Sequence, residues 1–562
     1  MKEKISHSIR EALKGLGLPE VPFVVEHPED LSHGDYATNV AMVLSKQIGK
    51  NPKEVAEEIK AEIEKHKPTE VLSLTVAGPG FINITLAPEF FQDSLVQILK
   101  EEDTFGRNDS LKQQKTIVEY TDPNPFKEFH IGHVMSNTIG ESLSRLLSAN
   151  GAEVKRACYS GDKGIHVAKA VAHKLESGAE WKTVKDVAHS YAEGAKRYDT
   201  DETFKQFVVD TNKKIYLETD AEVNDVYMFG RRLTLDYFEI LYKTLGTTFD
   251  FYFFESTTGE FGKALVHTNT PKIFEESEGA IIFRGENRDA KLHTRVFINK
   301  EGIPTYEAKE LGLAKIKYDV YPYDSSVVIT GNEVNDYFRV LMCALGEIFP
   351  ELAQKTHHIG HGMMRTPEGK LSSRSGTAPT ADSLIEAVSE KVKEKMKDTH
   401  NDLSQNDELV TQIAVGAIKY SILRQAPGRD VVFDFETATS FEGDSGPYLQ
   451  YTNARIQSLL EKGSGLGISP ALKTGEEVSD LEKTLYRFPE VVMRAYTDYA
   501  PHAVATFLIE IAGLFNAYYG NHLIVDEKNT EVSAHRMSLA KATAIVIQNG
   551  LHLLGIKAPE RM

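Results

Sequence analysis

The sequence has little cysteine, and that scarcity excludes two kinds of site. Cys158 and Cys343 are the only cysteines among 562 residues, so the chain has no disulfide framework and no cysteine-based zinc site. It also has no uninterrupted apolar run of about 18 residues, the length that a membrane-spanning helix needs. Residues 1–20 form an amphipathic helix pattern without the apolar core of a secretory signal. We therefore expect a cytoplasmic protein with no membrane partner.

An excess of basic residues is also missing. The formal net charge is −18, which argues against binding nucleic acid non-specifically over a broad surface. A local basic segment remains at residues 355–374, where Lys355, Arg365, Lys370 and Arg374 face a single acid. Charge alone leaves two interpretations of this segment open, a solvated surface loop and a local anion-binding track.

The hydrophobic pattern divides the chain into three parts, within the roughly two to four domains that its length suggests. Residues 1–112 mix helix and strand patterns and predict a small α+β domain. Residues 113–380 alternate strands with helices, which predicts an α/β domain with a parallel sheet; about 176–245 within it is a charged helical insertion. Residues 381–562 are almost entirely helical and predict a helical bundle.

The segment NPFKEFHIGH, residues 124–133, lies where the first strand of the parallel sheet is followed by its helix. Ligands of such sheets bind at the carboxyl ends of the strands. A helix that starts there offers free N–H groups and a positive dipole end to phosphate. His130 and His133 therefore have three interpretations, which are a nucleotide-phosphate site, a pair of zinc ligands and a structural pair.

Each interpretation makes a different demand on the rest of the chain. Zinc needs a third ligand, and the segment with His357, His358 and His361 supplies imidazoles but no evident carboxylate. A nucleotide site needs a backbone that adenine can approach closely and groups that stabilise the negative charge of the phosphates. Gly132 has no side chain and would let adenine lie against the backbone, and two imidazoles can donate to phosphate oxygens.

Seven segments of the chain have a distinctive order and spacing. They are EYTDPNPFKEFHIGH (119–133), GDKG (161–164), FDFYFFES (249–256), FEGDSGPYLQYTNARI (441–456), the C-terminal helix pattern 499–519, HGDYATNVAM (33–42) and AGPGFINITL (77–86). In this order and spacing they resemble the segments of the class I aminoacyl-tRNA synthetases, and specifically the arginyl-tRNA synthetases. The resemblance runs over nearly the whole chain. Lys163 departs from it, since the family usually has an aromatic residue there.

The resemblance implies a fold and a function. The fold is a Rossmann-type parallel-sheet catalytic domain with HIGH and KMSKS-like motifs, an N-terminal α+β add-on domain that contacts the tRNA D-loop, and an all-α anticodon-binding bundle. The function is an arginine–tRNA ligase that activates L-arginine with ATP and transfers it to the 3′ end of tRNA(Arg), with activation dependent on tRNA. Mg²⁺ would accompany ATP, with no resident metal or cofactor, in a monomer. The alternative is a synthetase-like RNA-binding protein without catalysis.

The resemblance also assigns the catalytic and ATP-binding residues. Lys127, His130, Gly132, His133 and Lys370 would be catalytic, and His130, His133 and Lys370 would hold ATP together with Ser372 and Ser373. Ser373 stands where the KMSKS motif normally has its second lysine. In many arginyl enzymes a lysine just before HIGH substitutes for it, and Lys127 is in that place.

Arginine and tRNA receive their own candidates. The guanidinium and α-ammonium of arginine need acceptors, and by resemblance Glu119, Asn124, Tyr306 and Glu310 line its site. The family usually has Asp where Glu310 stands, and often Gln where Val334 stands; Asn332, Glu333 or Asn335 would then replace that Gln, or the alignment shifts. For the tRNA D-loop, Phe81 would stack on a base and Asn83 would read its edge.

Overall fold

The structure is a computed structural model and describes residues 1–367, 369–370, 379–397, 403–473 and 477–562. It separates into two compact units, each made of several chain segments. The first consists of Met1–Phe105, Ile456–Phe488 and Glu510–Val546, and the second of Gly106–Arg455, Pro489–Ile509 and Ile547–Met562.

The N-terminal segment of the first unit packs helices on an antiparallel sheet. Its helices start at clear local signals; for example, Asn51 accepts a hydrogen bond from the Lys53 N–H while Pro52 occupies the first turn. The sheet has the order β1-β2-β4-β3. The elements are α1 (Lys2–Gly15), β1 (Val25–Glu26), β2 (Tyr36–Thr38), α2 (Val40–Ile48), α3 (Pro52–Lys65), β3 (Val71–Ala77), β4 (Phe81–Leu86) and α4 (Pro88–Glu101), with 3₁₀ turns at Leu31–His33 and Glu102–Thr104.

The core of this unit includes a tyrosine from far along the chain. Tyr486 packs among four aromatic rings whose centroids lie 5.1 to 6.3 Å from its own and is 8% exposed. Aromatic rings bury large apolar areas and favour such edge-on geometry. The packing explains why residues 456–488 belong to the same unit as the N-terminal segment. The four rings are those of His27, Tyr36, Phe90 and Phe91.

The second unit is built on an α/β segment. Its elements are β5 (Lys115–Glu119), α5 (Ile131–Ala149), β6 (Glu153–Ser160), α6 (Ile165–Ser177), α7 (Val184–Thr200), α8 (Glu202–Leu217), α9 (Ala221–Leu245), β7 (Phe251–Phe254), α10 (Glu255–Thr268), β8 (Glu275–Ser277), β9 (Ala280–Arg284), β10 (Thr294–Ile298), α11 (Tyr306–Val320), β11 (Ser325–Gly331), α12 (Asn335–Ile348), α13 (Pro350–Lys355), β12 (Thr356–His361), β13 (Met364–Thr366) and β14 (Gly369–Lys370), with 3₁₀ turns at Gly285–Asn287 and Asn332–Val334.

A five-stranded sheet organises this segment. Its order is β12-β11-β5-β6-β7, and every pairing in it is parallel, which confirms the prediction from the βαβ pattern. From the central strand β5 the chain crosses to β6 on one side and reaches β11 on the other. The connections leave in opposite directions, so a crevice opens at the carboxyl ends of β5 and β11. Helices α7, α8 and α9 form the predicted helical insertion.

Helices α10 and α11 cross closely because each has a glycine at the crossing. A Cβ added to Gly262 would lie 1.8 Å from the carbonyl oxygen of Ala308, and one added to Gly312 would lie 2.3 Å from that of Thr258. Without side chains at these two points, the backbones can touch. The crossing fixes the first turn of α11, which carries Tyr306, against the start of α10.

The C-terminal part is helical, as predicted. Its elements are α14 (Ala381–Lys397), α15 (Asp407–Leu423), β15 (Val431–Val432), α16 (Phe435–Ala438), α17 (Gly446–Gly465), α18 (Glu482–Leu485), α19 (Phe488–Thr497), α20 (Pro501–Asn521) and α21 (Thr530–Leu553), with a 3₁₀ turn at Leu403–Gln405.

Helix α20 is, by length and composition, the one described helix apolar enough to cross a membrane. Its apolar run is interrupted by Glu510 and Asn516. A core helix of a soluble protein meets the same criterion, and Val504, Leu508 and Phe515 of α20 are fully buried within the protein. The composition of α20 therefore gives only weak evidence of a membrane.

Replacing Gly262 with Ala should destabilise the protein, because the new methyl group would overlap a backbone carbonyl that cannot rotate away. We expect a loss of about 1–3 kcal/mol in the free energy of unfolding, as for other overpacked sites. Urea unfolding followed by circular dichroism measures it. Gly259→Ala is the matched control one turn earlier, where the nearest atom to a new Cβ lies 3.6 Å away. It should be neutral or slightly stabilising, and equal losses in both variants would contradict the close crossing.

Candidate functional site

A cavity of about 540 Å³ opens at the carboxyl ends of β5 and β11, in the crevice of the parallel sheet. It is lined by the loop that follows β5, the first turns of α5 and α11, the end of β6, the start of α10 and the 3₁₀ turn after β11. Six of its lining residues are carboxylates and three are histidines. Of the residues selected from the sequence, those that line the cavity are Glu119, Asn124, His130, Gly132, His133, Tyr306, Glu310, Glu333 and Val334.

The loop between β5 and α5 is held in a strained shape by hydrogen bonds. Thr121 and Asp122 have positive φ angles of 83° and 48°, which costs about 1–3 kcal/mol per residue outside glycine. Asp122 Oδ1 accepts the Tyr159 N–H at 2.7 Å, and Asn124 Oδ1 accepts the Gly161 N–H at 2.9 Å. The loop is therefore bound to the end of β6, and this fixes the entry into α5.

The two histidines of HIGH cap helix α5. His130 Nδ1 accepts the Gly132 N–H at 3.1 Å, and His133 Nδ1 accepts the His130 N–H at 3.2 Å. Their rings stack with centroids 3.5 Å apart. Because each Nδ1 accepts a hydrogen bond, the hydrogen bonds assign the proton of each neutral ring to Nε2. A Cβ at Gly132 would lie 2.9 Å from His130 Cε1, so the glycine also makes room for this cap.

The surroundings of both imidazoles lower their pKa values and so favour the neutral forms. Desolvation, and then the charge of Lys127, lowers the pKa of His130. Burial and the neighbouring His130 lower the pKa of His133 well below its ordinary value. Neutral rings with Nε2–H groups can donate to phosphate oxygens without carrying a charge themselves.

The sequence predicted free N–H groups at the start of α5. This prediction is wrong for the residues that the structure describes. The Ile131 N–H donates to the Pro379 carbonyl, and the His133 N–H donates to that of His130. With the Gly132 N–H bound to the His130 ring, the first three amides of the helix all have partners. The physical reason is that the His130 ring and two backbone carbonyls accept the hydrogen bonds that a phosphate would otherwise accept.

Of the lysines and serines selected for ATP binding, the structure describes the lysines but not the serines. The Lys127 ammonium lies 5.0 Å from the ring centroid of Tyr191, and within the described ranges it pairs with no carboxylate. Lys370 belongs to strand β14, and its backbone lies opposite that of Arg365 in the antiparallel pairing with β13. Ser372 and Ser373 lie outside the described residues.

Buried ion pairs occupy some of the cavity's acids. Glu119 accepts a hydrogen bond from the Lys317 ammonium at 2.5 Å, with both side chains at most 4% exposed. Glu255 pairs in the same way with Lys309 at 2.5 Å. Burial and the negative charge of Glu119 raise the pKa of Glu310 well above its ordinary value.

Helix α11 brings its candidate residues to one cavity, as the four-residue spacing predicted. Tyr306 lies at the mouth and is 64% exposed, while Glu310 is one turn further in. Lys317 follows two turns after Glu310 on the same face. Lys317 was not among the residues selected from the sequence, although its seven-residue spacing from Glu310 was a usable signal.

Val334 lines the cavity and packs on the apolar cluster beneath it. Asn332, Glu333 and Asn335 were the polar residues predicted to replace the family's Gln. Among the described residues that line the cavity, Glu333 is the one of these three. Asn335 instead lies against Gly360, where a Cβ would come 2.3 Å from its Oδ1. Asp122 also lines the cavity and was missed; its place just after the end of a strand was the available signal.

The two N-terminal candidates share one face of β4. Ile82 and Ile84 point into the core and are at most 2% exposed, so the alternation of the strand places Phe81 and Asn83 on the opposite face. Phe81 is partly exposed and Asn83 is 8% exposed.

Among the residues that the structure describes, no group of three or more His, Cys, Asp or Glu is arranged to hold a metal ion.

Three family models match the chain in succession. Residues 3–86 match the arginyl tRNA synthetase N terminal domain, residues 94–435 the catalytic domain of tRNA synthetases class I (R), and residues 449–562 the DALR anticodon binding domain. The order of these matches confirms the predicted fold class.

Curated relatives and solved structures agree with the family models. The arginine–tRNA ligase of Treponema denticola is 28% identical over 96% of this chain and 94% of its own length, and that of Phocaeicola vulgatus is 28% identical over the whole of both. The Thermus thermophilus arginyl-tRNA synthetase has a TM-score of 0.80 at 23% identity over both complete chains. The Plasmodium falciparum enzyme has a TM-score of 0.80 at 20% identity, over all of this chain and 99% of its own.

Replacing Lys317 with Met should destabilise the second unit strongly, because Glu119 would be left as an unpaired buried charge. The expected loss is about 3–5 kcal/mol, read as a lower midpoint in thermal unfolding. The double variant Glu119→Gln/Lys317→Met removes both charges and should recover most of the loss. Equal destabilisation in the single and double variants would show that the pair contributes packing rather than charge compensation.

Proposed function

Because the chain belongs to the class I tRNA synthetases of the arginine type, we propose that it is an arginine–tRNA ligase. It would activate L-arginine with ATP, release pyrophosphate, and transfer arginine to the 3′ end of tRNA(Arg). The observation that supports this most is the single cavity that gathers the capped HIGH histidines and unpaired carboxylates at one crevice of the sheet. The alternative of an RNA-binding protein without catalysis would fit a broken HIGH, and here both histidines and the glycine are present.

The activation step needs positioning and charge stabilisation rather than a protein nucleophile. The carboxylate of arginine attacks the α-phosphorus of ATP, and pyrophosphate leaves. The Nε2–H groups of His130 and His133 would donate to phosphate oxygens as negative charge develops there. Lys127 and Lys370 would neutralise the leaving phosphates, together with the hydroxyls of Ser372 and Ser373. Mg²⁺ would enter with ATP as part of the substrate.

For arginine, we assign distinct parts to four residues. Glu310, at the inner end of the cavity, would take the guanidinium through two parallel hydrogen bonds, and Tyr306 would close over it from the mouth. Glu119 would present a carboxylate in a fixed position to the substrate, since this carboxylate is held by Lys317. Asn124 uses its oxygen on the Gly161 N–H, so its amide N–H groups remain for the substrate.

The remaining parts of the chain would bind tRNA. We assign residues 1–112 to the D-loop, with Phe81 and Asn83 as contacts, residues 113–380 to catalysis and residues 381–562 to the anticodon. Binding of tRNA would precede activation of arginine. We further propose that the protein acts as a monomer in the cytoplasm.

An ATP–pyrophosphate exchange assay tests the reaction. Exchange should require L-arginine and should appear only when tRNA(Arg) is present, and L-lysine should not replace arginine because it cannot form the bidentate pair. Exchange with arginine alone would keep the enzyme but contradict the tRNA-dependent first step. Absence of exchange under every condition would favour the RNA-binding alternative.

Lys127→Ala should slow activation with little effect on the KM for arginine, because the lysine charge would act on phosphates that gain charge in the transition state. We expect a fall in kcat of about 10²–10³-fold, as for other lost transition-state donors. Lys185→Ala is the matched control, since Lys185 is an exposed lysine near Glu128 that does not line the cavity. Similar losses in both variants would indicate that any nearby positive charge speeds activation, and would contradict a specific contact between Lys127 and the phosphates.

A further inference from the structure

The helical insertion formed by α7, α8 and α9 anchors the loop that leads into the HIGH histidines. Phe126 of this loop is fully buried in an apolar cluster that α6 and the insertion helices form. Its ring centroid lies 6.0 Å from that of Trp181 and 6.1 Å from that of Tyr227, on which it stacks. A Cβ at Gly230 would lie 2.6 Å from Phe126 Cε1, so α9 leaves room for this ring. The residue just before Lys127 is therefore fixed by the insertion.

The side chain of Lys127 also contacts the insertion. Its ammonium lies 5.0 Å from the ring centroid of Tyr191, a residue of α7. This distance is within the range of about 6 Å over which an aromatic ring attracts a cation. Since the ammonium has no carboxylate partner among the described residues, the Tyr191 ring is the group that stabilises its position. A lysine side chain has four rotatable bonds and takes many conformations without such a contact.

The ammonium of Lys127 is held near the HIGH histidines. Desolvation is the first cause of the lowered pKa values of His130, His133 and His166, and the charge of Lys127 is a further cause at each. His130 and His133 begin α5, whereas His166 lies in the first turn of α6. The charge of one lysine therefore acts on the starts of both helices that follow the first two strands of the parallel sheet.

The ring of Tyr191 is itself fixed in place. It is partly buried and packs on the same apolar cluster that holds Phe126. Burial and then the charge of Glu255 raise the pKa of Tyr306, and Tyr191 is among the groups that raise it further. Tyr191 thus lies near the mouth of the cavity, with its ring set by the core of the insertion.

Helix α7 carries a second pair of the same kind, which serves as a comparison. Tyr198 follows Tyr191 by seven residues, is also partly buried, and packs on the same cluster. The ammonium of Lys169 lies 4.2 Å from its ring centroid. Among the described charges that act on the two HIGH histidines, Lys127 is present and Lys169 is not. The two tyrosines therefore share their packing and differ in the lysine that each one holds.

We propose that Tyr191 is a positioning residue that holds the ammonium of Lys127 toward the phosphates of ATP. This inference rests on the proposed function, which assigns Lys127 to the leaving phosphates, and it gives the helical insertion a part in that step. Tyr191 itself would touch neither ATP nor arginine. Its ring would limit the conformations of a flexible side chain, so that the charge is in place before the transition state forms.

ATP–pyrophosphate exchange with L-arginine and saturating tRNA(Arg) tests this role. Tyr191→Leu should lower kcat by about 3- to 30-fold, the factor that corresponds to one cation–π contact. The KM for arginine should stay within about threefold, because the lysine acts on the transition state. Tyr191→Phe keeps the ring and should retain kcat within about twofold. Tyr191→Met removes the ring but fills similar space, and it should repeat the loss if Tyr191→Leu fails to fold.

A double-mutant cycle shows whether Tyr191 acts through Lys127. In the Lys127→Ala background, Tyr191→Leu should change kcat by less than about twofold, because the contact is already lost. Tyr198→Leu is the matched control, since it removes a ring from the same helix and the same cluster. It should leave kcat unchanged in both backgrounds. Thermal unfolding of each variant separates a loss of kcat from a loss of folded protein.

Four results would overturn the inference while leaving the proposed function in place. They are an unchanged kcat in folded Tyr191→Leu or Tyr191→Met, losses that simply add in the double variant with Lys127→Ala, an equal loss in Tyr198→Leu, and a raised KM for tRNA with kcat unchanged. The last result would make Tyr191 a tRNA contact. Full activity of Lys127→Ala would remove the role of the lysine and the inference with it. Absence of exchange by the wild-type protein under every condition would overturn the proposed function as well.

Discussion

The parallel pairing of β5 with β6 on one side and β11 on the other is the constraint on which the rest of the site depends. A central strand whose neighbours are reached in opposite directions leaves a crevice at its carboxyl end. Many groups of the cavity enter it from elements that this pairing fixes: the loop after β5, the start of α5, the end of β6 and the turn after β11. The α10–α11 crossing then brings the acids of α11 to the same crevice. The chemistry is therefore located by backbone pairing, and the side chains only select the ligand.

Charge is distributed within this frame in two ways. The HIGH histidines themselves supply donors rather than charge, because the lowered pKa values of the two stacked imidazoles favour their neutral forms, and the charges that act on His130 come from Lys127 and Glu333. A few residues away it concentrates negative charge and compensates only part of it, through the Lys317 and Lys309 ammonium groups. An anionic nucleotide would thus meet the neutral N–H donors of the histidines, and a cationic amino acid would meet the negative charge beside them. Such an arrangement disfavours uncharged amino acids, since they would leave buried acids unpaired.

The sequence predicted the elements better than it predicted the partners. The strand at Lys115–Glu119 and the helix that starts after His130 follow from local periodicity and from Pro123 and Pro125 between them, so they could be located in advance. Glu119 and Glu310 could be selected through a family resemblance, and both line the cavity. Their buried surroundings could not be predicted, because Lys317 meets Glu119 across 198 residues of chain. The capping role of the histidines was missed for a related reason: a motif gives residue types, whereas the atom that each ring offers depends on its rotamer.

The helix that begins with HIGH also depends on residues synthesised much later. In its second half, Ser142 Oγ donates to the Leu553 carbonyl across 411 residues, and Arg145 donates to the His552 carbonyl across 407. At ribosomal rates of roughly 5–20 residues per second, these partners emerge some tens of seconds after the helix itself. During that time the second half of the helix lacks these two contacts, and a chain interrupted before residue 552 would carry a complete signature motif on an incomplete support. The order of synthesis thus makes the full support of this helix a late event in the life of the nascent chain.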